Sequence, residues 1–204
     1  MSESDSYLTI ENISEGIYKD KGSKFMAFAF PADDEAIIKK RLEEIKKTYH
    51  DARHHCYAWR LGSSNQHYRV NDDGEPHNSA GNPIMSQIQS FNLTNILVIV
   101  VRYFGGTLLG VPGLVKAYKI ASSEALRNAK ITKKYEYRIL KINFDYKELS
   151  HVMKIIKDMN LEYFEQDFEQ TCEVKVKVRS SYLSNFKSHF TLYPDIIIDE
   201  IING

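Results

Sequence analysis

Six consecutive aliphatic residues, Ile96-Leu97-Val98-Ile99-Val100-Val101, form the longest apolar run of the chain and lead through Arg102, Tyr103 and Phe104 to Gly105. Successive side chains of a strand alternate between its two sides, so a run apolar at every position reads as a strand buried on both faces, here over 95–104. It is far shorter than the roughly 18 residues that a membrane helix requires, and no transmembrane segment is predicted. After it, Gly105-Gly106-Thr107-Leu108-Leu109-Gly110-Val111-Pro112-Gly113 breaks the chain sharply. Leu114, Tyr118, Ala121 and Ala125 then recur at spacings of 4, 3 and 4, which predicts a long helix over 113–129.

Other elements can be read around this centre. Leu8, Ile10, Ile13 and Ile17, followed by Phe25, Met26, Phe28 and Phe30, read as a β-hairpin with a polar turn at Gly22. Asp33, Asp34 and Glu35 supply capping carboxylates for an amphipathic helix carrying Ile38, Leu42, Ile45 and Tyr49 and ending near Thr48. Residues 54–61 read as a strand, 62–83 mostly as loop, and 84–91 as a short helix. A different pattern starts beyond the polar stretch at 130–135. Leu140, Ile142 and Phe144 alternate as a strand; Asp145 and Glu148 suggest a capping box for a helix; and strands over 161–168 and 171–179 precede a second helix with Leu183, Phe186 and Phe190. A last strand covers 195–202. The order βαββαβ in about 70 residues fits a ferredoxin-like sheet with both helices on one face. The fold class is therefore α+β, with domains expected at 1–132 and 135–204.

Composition narrows the function classes. At 43% hydrophobic and 26% charged residues the chain is an ordinary globular one. Its two cysteines, Cys56 and Cys172, make no disulfide framework, and the first residues form neither a signal nor a transit peptide, so a reducing cytoplasm is expected. The net charge is zero, which excludes indiscriminate polyanion binding. Yet residues 81–134 hold seven Lys or Arg against the single acid Glu124, a local net charge of +6. On the helix over 113–129, Lys116, Lys119, Ser123, Arg127 and Lys130 share about one quadrant, opposite the apolar stripe. Solvated helix faces normally mix both signs, so this stripe points to an anionic partner, foremost RNA.

The glycine segment at 105–113 has two readings. It can be a tight strand-to-helix turn needing positive φ, or an anion site formed by backbone N–H groups at a helix start. It matches neither the phosphate loop nor the dinucleotide fingerprint. Asp72, Asp73 and Glu75 surround Gly74 and read first as turn formers, although they could also serve as acid, base or Mg²⁺ ligands. His50, His54, His55, His67 and His77 cluster in sequence without metal-ligand spacing, and no metal or cofactor is expected. Cys56 as a nucleophile would need a base within reach, and the sequence does not place one. Lys175, Lys177 and Arg179 lie opposite Val174, Val176 and Val178, on the face that helices leave open and that RNA backbone could contact.

Asp73-Gly74-Glu75-Pro76, Ala80-Gly81-Asn82-Pro83-Ile84 and, above all, Val100 to Gly110 with its Arg-Tyr-Phe-Gly-Gly core resemble the signature of the IMPACT/YigZ family. The resemblance runs from about Ser14 to Ile131, and the two-domain layout is similar to the bacterial branch. It implies a first domain folded like the second domain of ribosomal protein S5 and similar to domain IV of elongation factor G. The second domain would be ferredoxin-like and similar to domain V of that factor. Asn78 and Ser79 stand where many members have Gly-Thr; Asn tolerates left-handed backbone, so the loop shape is expected to survive.

The expected function is a non-enzymatic, translation-associated regulator that binds RNA or the ribosome. Its binding residues would be Arg102, Lys116, Lys119 and Arg127 for phosphate, with Gly105, Gly106, Gly110 and Gly113 as a backbone anion site. One alternative is a phosphate- or peptide-directed hydrolase or transferase with a pocket around Arg53, His54, Asp72, Asp73 and Glu75. A third reading is a protein-protein adaptor in stress signalling.

Overall fold

The structure is a computed structural model and describes residues 5–63, 67–167 and 172–201. By its contacts the chain divides into two compact units, one spanning Tyr7–Lys134 and the other formed by residues from Tyr135 onward together with Asp5 and Ser6. The expected division assigned Asp5 and Ser6 to the first domain. They lie with the second because the Asp5 carboxylate accepts from Arg179 Nε at 3.0 Å, Arg179 Nη2 at 2.9 Å and the Ser181 N–H at 2.8 Å.

In the first unit the elements are β1 (Ser6–Ile10), β2 (Ser14–Asp20), β3 (Ser23–Pro31), α1 (Glu35–Thr48), β4 (His54–Leu61) and β5 (His67–Asn71). They continue with α2 (Gly81–Ser90), β6 (Ile96–Tyr103), α3 (Gly110–Arg127) and β7 (Ile131–Tyr135). Five strands form an antiparallel sheet in the order β2-β3-β6-β4-β5, while β1 pairs with β7. The all-apolar run occupies the central strand and is fully buried. Val98 and Val100 turn to a core shared with Phe25, Ala27, Cys56 and Ala58 under α2 and α3. Leu97, Ile99 and Val101 turn to the opposite core, with Phe28, Phe30, Tyr57 and Trp59 under α1. Alternation thus sends one strand into two cores.

Asp34 caps α1 as expected, its carboxylate accepting from the Ile37 N–H at 2.6 Å. Close packing of α3 on β2 depends on Gly16, because a Cβ there would run into the backbone of Ala121 and Ala125. Four elements depart from the expectations. Residues 67–71, taken for loop, form β5, an edge strand whose exposed His67, Tyr68 and Arg69 carry no apolar alternation. The second helix starts at Gly81 and the third at Gly110, three residues earlier than expected in each case; Pro83 and Pro112 are tolerated because first-turn N–H groups need no helical partner. Ile131–Tyr135, within the polar stretch to which the sequence assigns no element, forms strand β7.

The second unit contains β8 (Tyr137–Phe144), α4 (Leu149–Asp158), β9 (Glu162–Asp167), β10 (Cys172–Arg179), α5 (Leu183–Ser188) and β11 (Ile197–Ile201). Its sheet runs β11-β8-β10-β9, all antiparallel. Leu140, Ile142, Val174, Val176 and Val178 pack with Val152, Ile156 and Phe186. The capping box expected from Asp145 and Glu148 is absent: a 3-10 turn, with the Glu148 N–H on the Asp145 carbonyl at 2.9 Å, leads into α4 instead. The expected strand ends at Phe168, Thr171 and Ile202 lie outside the described residues.

Candidate nucleic-acid interface

At the exit of β6, Arg102 points into the core of α3 rather than to solvent. Its Nη1 donates to Glu75 Oε1 at 2.6 Å, and both side chains are almost wholly buried. The Tyr118 hydroxyl donates to the same oxygen at 2.9 Å, and the Cys56 thiol lies 3.2 Å from that hydroxyl and 3.0 Å from the Asp72 carbonyl. The Arg102 guanidinium carbon is 5.5 Å from the centroid of the Phe25 ring and 5.6 Å from that of Phe104. The expectation that Arg102 contacts phosphate is therefore corrected: the residue is the cation of an internal ion pair. A buried charge requires such a partner, and Glu75 supplies it. Burial pushes the Cys56 thiol above its ordinary value, and the carboxylates nearby act in the same direction, so a thiolate nucleophile is disfavoured. Burial also raises the Tyr118 hydroxyl, aided by Cys56 and Glu75.

The acidic loop is occupied with its own backbone. Asp72 accepts from the N–H groups of Asn78 at 2.8 Å, Ala80 at 2.9 Å and Gly81 at 2.8 Å, tying the loop to the start of α2. Asp73 accepts from the His55 N–H at 2.7 Å, while its carbonyl lies 2.9 Å from His54 Nδ1. Asp73 and Asn78 adopt left-handed backbone, at φ 39° and 61°. Asn78 thus does what its residue type allows. Glu75 turns inward to Arg102, and Arg53 is exposed. His54, Asp72, Asp73 and Glu75 are thus each engaged with a partner within the fold, and Glu75 is turned to Arg102 in the core. Among the described residues no group of three or more His, Cys, Asp or Glu could hold a metal ion.

The glycine segment joins β6 to α3 by a turn that needs its glycines. A Cβ on Gly105 would collide with the Gly22 and Ser23 backbone, and Gly106 and Gly110 have φ of 88° and 69°. Gly113 lies inside the first turn of α3, where no side chain caps the helix. The exposed face of α3 is thinner in free charge than the sequence suggests. Arg127 pairs with Glu124 on its own helix at 3.0 Å, and Lys130 pairs with Glu11 at 2.6 Å. Lys116 and Lys119 remain exposed with no ion-pair partner among the described residues.

On the open face of β10, Lys177 meets Glu162 at 3.4 Å and Arg179 clamps Asp5, so these two cations are already engaged by acids. Sequence reading missed the apolar rim of the glycine turn, where Phe104 is 50% exposed, Leu108 82% and Val111 48%. Its signal was apolar residues placed between glycines, in a segment too irregular to bury them.

Residues 21–126 match the family model of the Impact N-terminal domain. An IMPACT family member of Haemophilus influenzae is 31% identical over 173 residues, covering 84% of each chain. The IMPACT family member YigZ of Escherichia coli is 29% identical over 170 residues, or 82% of this chain and 83% of that one. A crystal structure of a hypothetical protein superposes with a TM-score of 0.74 at 26% identity, covering 98% of this chain and 99% of the other. The glycine turn after β6, the acidic loop before α2 and all of α3 but its last residue fall within the matched segment, and the chain belongs to the IMPACT family.

Proposed function

We propose that this chain is a translation-associated regulator that binds RNA or the ribosome through the exposed face of α3 and the adjoining glycine turn, without catalysing a reaction. The observation that carries it is the pair Lys116 and Lys119, one turn apart on one face and free of acid partners among the described residues. The uncapped start of α3 adds backbone N–H groups beside them. The translation half of the reading comes from the elongation-factor likeness that the family implies. In the same reading the first unit is an S5 domain 2-like fold and the second, with its strand order β11-β8-β10-β9, is ferredoxin-like, the two dividing near 132–135.

Co-sedimentation with ribosomes across a salt series tests it. Wild type is expected to bind with a steep salt dependence. A Lys116→Glu, Lys119→Glu double variant is expected to lose most of that binding; a Lys116→Ala, Lys119→Ala variant should flatten the log–log salt slope by about two, one phosphate per lysine. Indistinguishable curves would mean that the face is merely solvated.

A second reading, a protein-protein adaptor, is favoured by the exposed Phe104, Leu108 and Val111. Capture from extract with and without ribonuclease separates the two: a partner retained by apolar contact survives the nuclease, whereas RNA-bridged material is lost.

A further inference from the structure

We propose that Phe104 is a stacking platform for an unpaired nucleobase, so that the RNA taken by this surface is single-stranded where it meets the glycine turn. This deepens the RNA reading above and rests on it. The ring follows the last residue of β6 and is half exposed. Gly105, next in the chain, is tucked against Gly22, and Gly106 turns left-handed into space where a Cβ would meet nothing within 4 Å. The two residues that would normally shield such a ring therefore have no side chains with which to do so.

The ring is also held. Beneath it lies the guanidinium of Arg102, with its carbon 5.6 Å from the ring centroid, and that guanidinium is fixed by Glu75 at 2.6 Å and by its packing over Phe25. A cation over an aromatic ring favours one orientation of it. An aromatic held against a cation and half exposed suits stacking of a flat base, an interaction that tolerates any base because each has a π-face. Lys116 and Lys119, exposed on the helix that follows the glycine turn, supply the charge that a phosphate backbone needs, and Leu108 and Val111 are exposed in the chain between. A duplex keeps its bases stacked on one another and would have to give up a base pair to use the ring.

Fluorescence anisotropy with a labelled single-stranded RNA of about ten nucleotides and a duplex of the same length tests this directly. Wild type is expected to favour the single strand. Phe104→Ala and Phe104→Leu should each weaken the single strand by about tenfold, a loss typical of one stacked base, with little effect on the duplex, while Phe104→Trp retains the binding. Thermal unfolding of each variant checks that the fold is kept. Equal affinity for both RNAs, or a Phe104→Leu variant that binds like wild type, would overturn stacking while leaving the RNA reading intact. If neither RNA is retained even at low salt, the RNA reading fails and the stacking proposal falls with it.

Discussion

Arg102 shows how one side chain can be read correctly as a cation and wrongly as a surface group. It follows six buried aliphatic residues, and alternation places it on the same side as Val98 and Val100, facing the core under α3. Only a buried acid could hold it there, and Glu75 arrives from a loop that the sequence marks by its turn formers alone. Removing either partner leaves an uncompensated charge, so Arg102→Ala or Glu75→Ala is expected to cost about 3–5 kcal/mol in urea unfolding. An Arg102→Met, Glu75→Leu double variant should recover much of that loss. If the single variants unfold like wild type, the pair contributes nothing to stability. No pattern in the sequence could place Tyr118 and Cys56 beside this pair, since their contacts span 43 and 62 residues.

Elements were legible where burial and period agree. The central strand was read from its continuous apolar run and α3 from its 3.6-residue stripe, because tertiary packing acts on just those patterns. Strand β5 was invisible because an edge strand whose leading residues are exposed needs no apolar alternation. The basic face was legible as a set of residues, but its free charge was not: Arg127 is answered by Glu124 one turn back on α3, and Lys130 by Glu11, which the fold brings near from the end of β1. The turn between β6 and α3 is the least forgiving of these connections. Gly105→Ala is expected to destabilise by at least about 2 kcal/mol, since its new methyl group meets backbone rather than a side chain that could move. Gly106→Ala should cost only about 1–2 kcal/mol, for its left-handed φ alone, as there is open space around it. Chemical denaturation of the two variants compares them, and equal losses would contradict the close approach to Gly22.

At the scale of the whole molecule, the second unit is completed by a residue from the other end of the sequence. The Arg179 guanidinium beside Asp5 holds that carboxyl well below the ordinary value of 3.8. A carboxyl group depressed on folding contributes stability in full above its ordinary value and loses it as the pH falls from there toward the folded value. Melting temperatures should therefore decline below about pH 4 more steeply in wild type than in Asp5→Asn, which is expected to be less stable at neutral pH. Parallel profiles would show that the clamp carries no such linkage. The clamp also has a consequence for synthesis. Asp5 leaves the ribosome 174 residues before Arg179, so the second unit must wait for that length of chain before Asp5 can be fitted. Tyr7–Lys134, which contains both ends of every pairing in the five-stranded sheet, can finish folding while that wait continues.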